Sequence, residues 1–259
     1  MSKSKVGKRK IIRRIIIIPS AAILLLCVLI IGMCLFNQRP AVEAVEAYQS
    51  LYSDTAINVS DDGSAQILPV NSAKNKKTGI IFYVGAQITP DAYIPLLSRI
   101  TEKGYSCFIP KLACNMAALE PGAAEKIIAS HPEIKTWFIA GHSMGGLTAS
   151  GFADDHREKV NGLILIAAYT NRDMSDIDLP VLSVYGDCDG VMNKKLYDER
   201  LLWNTENFEE HIIAGANHAQ YGDYGVQPRD NEAKITAEEQ QTQTADIIID
   251  WLERQKILA

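Results

Sequence analysis

The sequence predicts an α/β domain with a doubly wound, mostly parallel sheet and an N-terminal β-hairpin, preceded by one transmembrane helix. Two observations predict the domain. Apolar runs of strand length alternate with helical segments from about Ala56 to the C-terminus, and several of those runs are apolar at nearly every position. Strands that are buried on both faces and separated by helices are typical of parallel sheets. The transmembrane helix is predicted by an uncharged run from Ile15 to Phe36.

Composition and charge narrow the classes of protein to which the chain can belong. It has 259 residues, 47% of them hydrophobic and 22% charged, which is enough apolar sequence for a core and excludes a disordered protein. Five cysteines in this length exclude a small disulfide-stapled domain. Seven of the 26 Lys and Arg residues precede Ile15, so 19 basic residues face 31 acidic ones in the rest of the chain. This acidic body argues against a nucleic-acid partner.

The N-terminal residues have the pattern of a signal anchor. At about 1.5 Å per residue the uncharged run reaches roughly 33 Å, enough to cross a hydrocarbon core of about 30 Å. The cations before it favour a cytoplasmic N-terminus, which places the rest of the chain outside the plasma membrane. The alternative is cleavage after Ala44 and secretion, although bulky residues from Met33 to Phe36 oppose cleavage next to the apolar run. The predicted organisation is a basic tip at 1–14, an anchor at 15–36, a connector at 37–55 and the domain at 56–259.

The elements of the domain follow one another with short interruptions. Two strands around Asp61-Asp62-Gly63-Ser64 predict the hairpin. After it, apolar runs alternate with segments of helical periodicity, and Pro90 and Gly104 mark the start and the end of the first helix. The predicted strands are 56–60, 65–70, 79–84, 105–109, 136–140, 162–168, 181–185 and 210–213. The predicted helices are 90–103, 123–130, 144–154, 194–203 and 237–255.

A serine stands at a sharp turn between a predicted strand and a predicted helix. The strand ending at Ala140 is followed by Gly141-His142-Ser143-Met144-Gly145-Gly146 and then by the helix. Such a turn strains the serine backbone and requires small residues two positions away on either side, which the glycines supply. A helix N-terminus also favours a developing oxyanion. The pattern predicts Ser143 as a nucleophile, the alternative being a glycine-rich helix start that only packs tightly.

From about Ala56 to the C-terminus, these residues and the alternating elements resemble the α/β-hydrolase family. In that family the nucleophile is followed along the chain by an acid and then by a histidine. The resemblance implies Asp189 as the acid, in a turn that follows a strand, with Asp187 as the alternative. It implies His218, between the last strand and the last helix, as the base. The implied fold is an α/β-hydrolase fold.

The resemblance also implies how an oxyanion would be held, by two backbone amides. Met144, after the nucleophile, would supply one of them. The other would come from the loop after the strand at 79–84, where Ala86 is the first choice and Gln87 the reserve. This loop departs from the commoner family pattern because Val84 stands where a histidine usually precedes the glycine. A backbone donor does not depend on that histidine, so the oxyanion hole is still expected.

The segment after His218 resembles that of a branch of small, mostly uncharacterised α/β-hydrolases, some of them membrane-anchored. Three residues are candidates for lining a pocket: His142, beside the nucleophile, and Gln220 and Tyr221, after the base. Tyr224 is a further candidate for contact with a substrate. Many relatives insert a helical lid where this chain has the segment 171–180, which is too short for one. The site is therefore expected to be open.

Taken together, the sequence and the resemblance predict a membrane-anchored serine hydrolase that cleaves a carboxylic ester or a related acyl bond through an acyl-enzyme. A small acyl substrate and the membrane are the expected partners. Acyl transfer with the same triad, and a non-catalytic binding protein of the same fold, are the alternatives. No metal or other cofactor is expected, because no His, Cys or carboxylate cluster has ligand spacing. Cys107 is expected to be a buried free thiol, the alternative being a pair with Cys114.

Overall fold

The computed structural model describes residues 20–21, 23–32, 34–35, 39, 41–42, 45–60, 64–71 and 76–255. The chain divides into two compact units, of which the first ends at Gln38 and the second begins at Arg39. The predicted basic tip lies outside the described residues, as do residues 15–19, 22, 33 and 36 of the predicted anchor. The second unit begins within the predicted connector, before the expected domain boundary at 56.

In the first unit, the described residues between 20 and 35 are helical. Their large apolar side chains are mostly more than half exposed, with values of 65% for Leu24, 61% for Leu29 and 68% for Leu35. Within the part of the chain that the structure describes, no helix combines the length and the apolarity needed to cross a membrane.

The second unit is built on a sheet of eight strands in the order β1-β2-β4-β3-β5-β6-β7-β8. In chain order, the strands are β1 Thr55–Val59, β2 Ala65–Pro69, β3 Thr78–Tyr83, β4 Ser106–Ile109, β5 Thr136–His142, β6 Leu163–Ile166, β7 Val181–Gly186 and β8 Phe208–Ile213. β1 and β2 form the predicted antiparallel hairpin, although residues 61–63 of its turn lie outside the described residues. β2 is also antiparallel to β4, and the pairings among β3 to β8 are all parallel. The sheet is thus mostly parallel, as the sequence predicts.

The register of the central strands sets where the connecting loops meet. Tyr83 at the end of β3 pairs with Gly141 in β5, and Gly141 pairs with Leu165 in β6. Strands β3, β4, β6 and β7 are buried at every residue, which explains their nearly continuous apolar sequences. The loops that follow β3, β5, β7 and β8 therefore leave the sheet at its carboxyl edge, where ligand sites of open α/β sheets lie.

Helices cover the sheet. They are α1 Val45–Leu51, α2 Ile94–Thr101, α3 Ala123–Ser130, α4 Met144–Asp155, α5 Lys194–Glu199 and α6 Ala237–Gln255. A 3-10 turn, Pro90–Tyr93, precedes α2 and accounts for the predicted start at Pro90. α2 packs against α6, whereas α4 packs on β3, β5 and β6.

The helix predicted at 194–203 is shorter than expected. α5 ends at Glu199 and is followed by a separate 3-10 turn, Leu201–Trp203. The side-chain amide of Asn204 donates to the carbonyls of Arg200 and Leu201, at 3.3 and 3.1 Å. The same carbonyls accept the backbone amides of Trp203 and Asn204, at 3.0 and 3.3 Å, so the segment continues as a 3-10 turn rather than as an α-helix.

Cys107 is a free thiol buried in β4, so it does not pair with Cys114. Burial raises the pKa of this thiol to about 12, which leaves it protonated and unreactive at neutral pH. This agrees with the expected buried thiol.

Candidate active site

Ser143 lies at the turn between β5 and α4. Its backbone has φ 54° and ψ −120°, a left-handed conformation that is unfavourable for a residue with a side chain. The Ser143 amide donates to the Ile166 carbonyl of β6 at 2.9 Å, and the Ser143 carbonyl accepts the Leu147 amide of α4 at 3.2 Å. These bonds join the strained residue to the strand and the helix beside it. The side chain is partly exposed at the helix N-terminus.

Two glycines make this turn possible. A Cβ on Gly141 would collide with the backbone of Gly145, and a Cβ on Gly145 would collide with the Tyr83 carbonyl at the end of β3. Gly145 therefore lets the first turn of α4 pass directly over the sheet edge. The close approach, rather than flexibility, explains why both positions need glycine.

His218 and Asp189, which the sequence places far apart, meet in the structure. His218 Nδ1 and Asp189 Oδ2 are hydrogen-bonded at 2.8 Å, and the two side chains are 1% and 2% exposed. Since a carboxylate only accepts hydrogen bonds, Nδ1 carries the proton and Nε2 has a free lone pair. Nε2 is buried and has no hydrogen-bonding partner among the described residues. The imidazole is therefore held in the tautomer that a general base requires.

The other oxygen of Asp189 fixes the orientation of the carboxylate. Oδ1 accepts the amides of Val191 and Met192, each at 2.8 Å. The alternative acid, Asp187, is exposed, and its Oδ1 instead accepts the Gly215 amide at 2.7 Å. Of the two carboxylates, only Asp189 contacts the imidazole of His218 in the described structure.

His218 contacts the residue next to the serine. The imidazole rings of His142 and His218 are 4.6 Å apart, and His142 Nε2 lies 3.1 Å from the His218 carbonyl. The structure contains no hydrogen bond between Ser143 Oγ and His218 Nε2 within the described residues. Catalytic hydrogen bonds are often long without substrate and shorten when it binds.

His142 lies behind the turn in the interior, with none of its surface exposed. Tyr93 Oη accepts the Gly85 amide at 3.1 Å, so its proton points to His142 Nδ1 at 2.8 Å. His142 Nε2–H then donates to the His218 carbonyl. Burial, helped by the neighbouring His218, lowers the pKa of His142 well below its usual value. A neutral His142 thus links the loop after β3 to the loop that carries His218.

The two candidates for the second oxyanion donor, Ala86 and Gln87, differ in what their amides contact. Within the described residues, neither the Met144 nor the Ala86 amide donates to another residue, and both residues are partly exposed. The amide of the reserve, Gln87, donates to the Asn115 carbonyl at 2.8 Å. Gln87 therefore has no free amide proton for an oxyanion, whereas Ala86 has one.

The loop after His218 packs into the domain. Tyr221 is fully buried, and its hydroxyl, like Oε1 of Gln220, is buried without a hydrogen-bonding partner among the described residues. Burial, with the nearby charges of Asp189 and Asp230, raises the pKa of Tyr221. The Tyr224 hydroxyl donates to Gln227 at 3.0 Å. Gln220 is partly exposed, whereas the Tyr221 side chain lies in the interior of the domain.

Comparison with known proteins gives the family. A family model described as the alpha/beta hydrolase family matches residues 79–242, more than half of the chain. The protein belongs to the α/β-hydrolase family. No curated protein sequence matches this chain significantly.

Solved structures show the same α/β-hydrolase fold. One is a predicted CIB-like hydrolase from Thermoplasma acidophilum, with 18% identity and a TM-score of 0.53 over 76% of this chain and 99% of that chain. Another is Est1E from Butyrivibrio proteoclasticus, with 14% identity and a TM-score of 0.55 over 79% of this chain and 99% of that chain. At such low sequence identities, the similarity to these structures shows only that the fold is shared. The family and these neighbours support hydrolase activity.

Two side chains of this α/β-hydrolase contact the site loops although the sequence analysis gave them no such role. One is Tyr93, which lies in the segment 90–103 that the sequence predicts only as a helix. The other is Gln240 of α6, fully buried, whose Oε1 accepts the Asn217 amide at 3.0 Å and whose Nε2 donates to the Asn217 carbonyl at 2.8 Å. The helix face that is buried includes Gln240, Thr244 and Ile248, which are spaced four residues apart. Because Gln240 lies on the same face as the apolar Ile248, the sequence carried a signal from which its burial could have been predicted.

Proposed function

We propose that this α/β-hydrolase is a serine hydrolase that cleaves a carboxylic ester or a related acyl bond. Ser143 is the nucleophile, His218 the general base and Asp189 the residue that orients the base. The observation that carries the proposal is the arrangement of His218. Its Nδ1 is bonded to a buried carboxylate, and its Nε2 is buried and unpartnered among the described residues, next to the turn that holds Ser143.

The proposed mechanism follows from these roles. His218 Nε2 takes the proton of Ser143 as Oγ forms a bond to the substrate carbonyl carbon. Asp189 stabilises the imidazolium without taking its proton. When the tetrahedral intermediate collapses, the bond to the alcohol oxygen breaks and His218 returns the proton to that oxygen. Water then attacks the acyl-enzyme by the same steps and releases the acid and free Ser143.

Charge on the substrate oxygen is stabilised by the amides of Met144 and Ala86. Their availability within the described structure supports this assignment, as does the N-terminus of α4, whose dipole favours negative charge. A preorganised donor of this kind is worth about 3–4 kcal/mol of the barrier.

The proposal extends to the location of the protein. We place residues 15–36 across the plasma membrane as an uncleaved anchor, with the N-terminus in the cytoplasm and the catalytic domain outside. The uncharged sequence, the preceding cations and the exposed apolar side chains of the described helical residues support this. The full-length protein should remain with membranes after an alkaline carbonate wash, and recovery in the soluble fraction would contradict the anchor.

The test of the chemistry is Ser143→Ala in the full-length protein, purified in detergent. A fluorophosphonate probe should label the wild-type protein at Ser143, and the variant should be unlabelled. Hydrolysis of a short-chain aryl ester should fall by several orders of magnitude, with Tm nearly unchanged. The matched control, Ser150→Ala, removes a buried hydroxyl from α4, the helix that follows Ser143. This variant should be labelled like the wild type.

Two outcomes would overturn the proposal. Ester hydrolysis that survives in Ser143→Ala excludes this nucleophile. Folded wild-type protein that neither reacts with the probe nor cleaves esters of any chain length favours a non-catalytic binding protein of the same fold.

A further inference from the structure

Asp230 connects the loop that carries the proposed acid to the loop that carries the proposed base. Its Oδ1 accepts the Gly190 amide at 3.0 Å and the His218 amide at 3.2 Å, and its Oδ2 accepts the Ala219 amide at 2.8 Å. Gly190 directly follows Asp189. One carboxylate is thus bonded to the neighbour of the acid, to the base and to the residue after the base.

The backbone around Asp230 is shaped for this contact. Arg229 has φ 74°, a left-handed conformation that is unfavourable for a residue with a side chain. A Cβ on Gly190 would lie 2.6 Å from the Arg229 carbonyl oxygen and 2.8 Å from the Asn231 amide, so only glycine admits this close approach. The strained turn at Arg229 and the absence of a side chain at Gly190 together allow the Asp230 carboxylate to lie between the two loops.

Two further contacts between these loops lie nearer the sheet. The Cys188 amide donates to the Ala216 carbonyl at 2.9 Å, and Asp187 accepts the Gly215 amide. These bonds join the bases of the loops, whereas Asp230 acts next to the catalytic side chains. Amide-to-carboxylate hydrogen bonds are about twice as strong as neutral ones, so Asp230 can restrain the loops more firmly than backbone contacts alone.

We propose that Asp230 is a positioning residue that fixes the loop of Asp189 relative to the loop of His218. By holding both backbones, it maintains the 2.8 Å bond between Asp189 Oδ2 and His218 Nδ1 and aims Nε2 at Ser143. Asp230 touches neither the substrate nor the reacting atoms. The inference rests on the proposed function for its catalytic consequence but not for its structural one.

The test compares three variants of the full-length protein. Asp230→Ala removes all the acceptors and should lower kcat for a short-chain aryl ester about 100-fold, with KM changed less than about threefold, because misplaced catalytic groups cost turnover rather than binding. Asp230→Asn keeps an oxygen for the Gly190 and His218 amides and loses only the bond to Ala219. It should recover most of the activity, with a remaining loss of about three- to tenfold. The control Asp187→Asn alters a carboxylate between the same two loops and should stay within about threefold.

A second measurement reports the position of the base directly. The proton shared by His218 Nδ1 and Asp189 should give a far-downfield proton NMR signal in the wild type and in Asp230→Asn. It should be lost in Asp230→Ala while Tm stays within a few degrees. If Asp230→Ala does not fold, Asp230→Asn decides, since any loss of kcat up to tenfold at unchanged Tm supports the proposal.

The proposal is overturned if Asp230→Ala folds and keeps wild-type kcat and the downfield signal, or if Asp187→Asn loses as much activity as Asp230→Ala. When Asp230→Ala does not fold, wild-type kcat in Asp230→Asn overturns it. The NMR comparison decides even if the wild-type protein cleaves no ester. Failure of the proposed function is therefore distinguishable from failure of the role given to Asp230.

Discussion

The turn that holds Ser143 and the loop that holds His218 lie at the same sheet edge but are stabilised in different ways. The serine turn depends on steric contacts between backbones: Gly141 and Gly145 allow the strand, the turn and the helix to pass one another and the end of β3. The loop of His218 depends on side chains from distant parts of the chain, among them Asp189, 29 residues before it, and Gln240, in the last helix.

Because of this difference, substitutions in the two regions should have different effects. Steric contacts between backbones cannot relax, so the serine turn should fail through loss of the fold. Hydrogen bonds from distant side chains can be lost one at a time, so the loop of His218 should fail through loss of alignment, with smaller costs in stability.

The largest effect is expected from Asp189→Asn, which changes the base without changing the turn. The Val191 and Met192 amides would bind the Asn oxygen, leaving its NH2 group to face His218 Nδ1. The imidazole would then hold its proton on Nε2 and could not accept one from Ser143. We expect kcat to fall about 10⁴-fold with Tm little changed. Asp187→Asn is the control, and an equal loss in both variants would show that Asp187 shares the role of acid.

Gly145→Ala should damage the turn by the other route. The added Cβ would collide with the Tyr83 carbonyl, and neither β3 nor α4 can move away without disturbing the sheet. We expect a loss of about 3 kcal/mol in the free energy of unfolding, measured with urea. Gly151→Ala is the matched control in the same helix, because its Cβ would meet only the Asn171 side chain at 3.4 Å. It should stabilise the protein by about 0.5–1 kcal/mol. Similar stabilities for the two variants would contradict the steric account.

The same contrast explains what could be predicted from the sequence. The serine turn was recognisable because six consecutive residues carry its steric requirements. The strands were predicted to within two residues of their observed bounds, since burial on both faces produces continuous apolar runs. β8 begins two residues earlier than predicted, at Phe208, because this strand is partly exposed and Glu209 interrupts its apolar pattern. The C-terminal part of the helix predicted at 194–203 was wrong, because the Arg200 and Leu201 carbonyls accept amides three residues further on and form a 3-10 turn, which periodicity does not reveal.

Contacts between distant residues were beyond prediction. Nothing near Asp230 in the sequence indicates that its carboxylate binds amides of two other loops. His142 was a candidate for a pocket because it neighbours Ser143, but which way adjacent side chains point depends on the strained backbone of the turn. The pairing of Asp189 with His218 was implied only by resemblance to a family, because neither loop sequence indicates where the two loops lie relative to each other.

Gln240→Ala tests a distant contact with a smaller expected effect. It would leave the buried amide and carbonyl of Asn217 without their partners, at a cost of about 2 kcal/mol in the free energy of unfolding. Since Asn217 precedes His218, kcat should fall as well. The exposed Gln243 of the same helix provides the control, and Gln243→Ala should change stability by less than about 0.5 kcal/mol. Equal effects in the two variants would mean that burial of Gln240 contributes nothing.

The smallest effect is a pH dependence of stability that arises from His142, where the two regions meet. Burial lowers the pKa of His142 in the folded state, whereas in the unfolded chain a histidine takes up a proton near about pH 6.5. The unfolded state therefore binds more protons below that pH. The contribution of His142 is fully present above about pH 6.5 and is lost as the pH falls, by at most about 1.4 kcal/mol per pH unit.

Two measurements check this contribution. Urea unfolding at several pH values should show a shallower loss of stability between pH 6.5 and 5 in His142→Asn than in the wild type. In the wild-type protein, the ring nitrogens of His142 should keep the NMR shifts of a neutral imidazole over the same range, with Nδ1 as the unprotonated acceptor facing Tyr93. A ring that becomes charged near pH 6 while the protein stays folded would mean that Tyr93, His142 and the His218 carbonyl do not form a neutral chain.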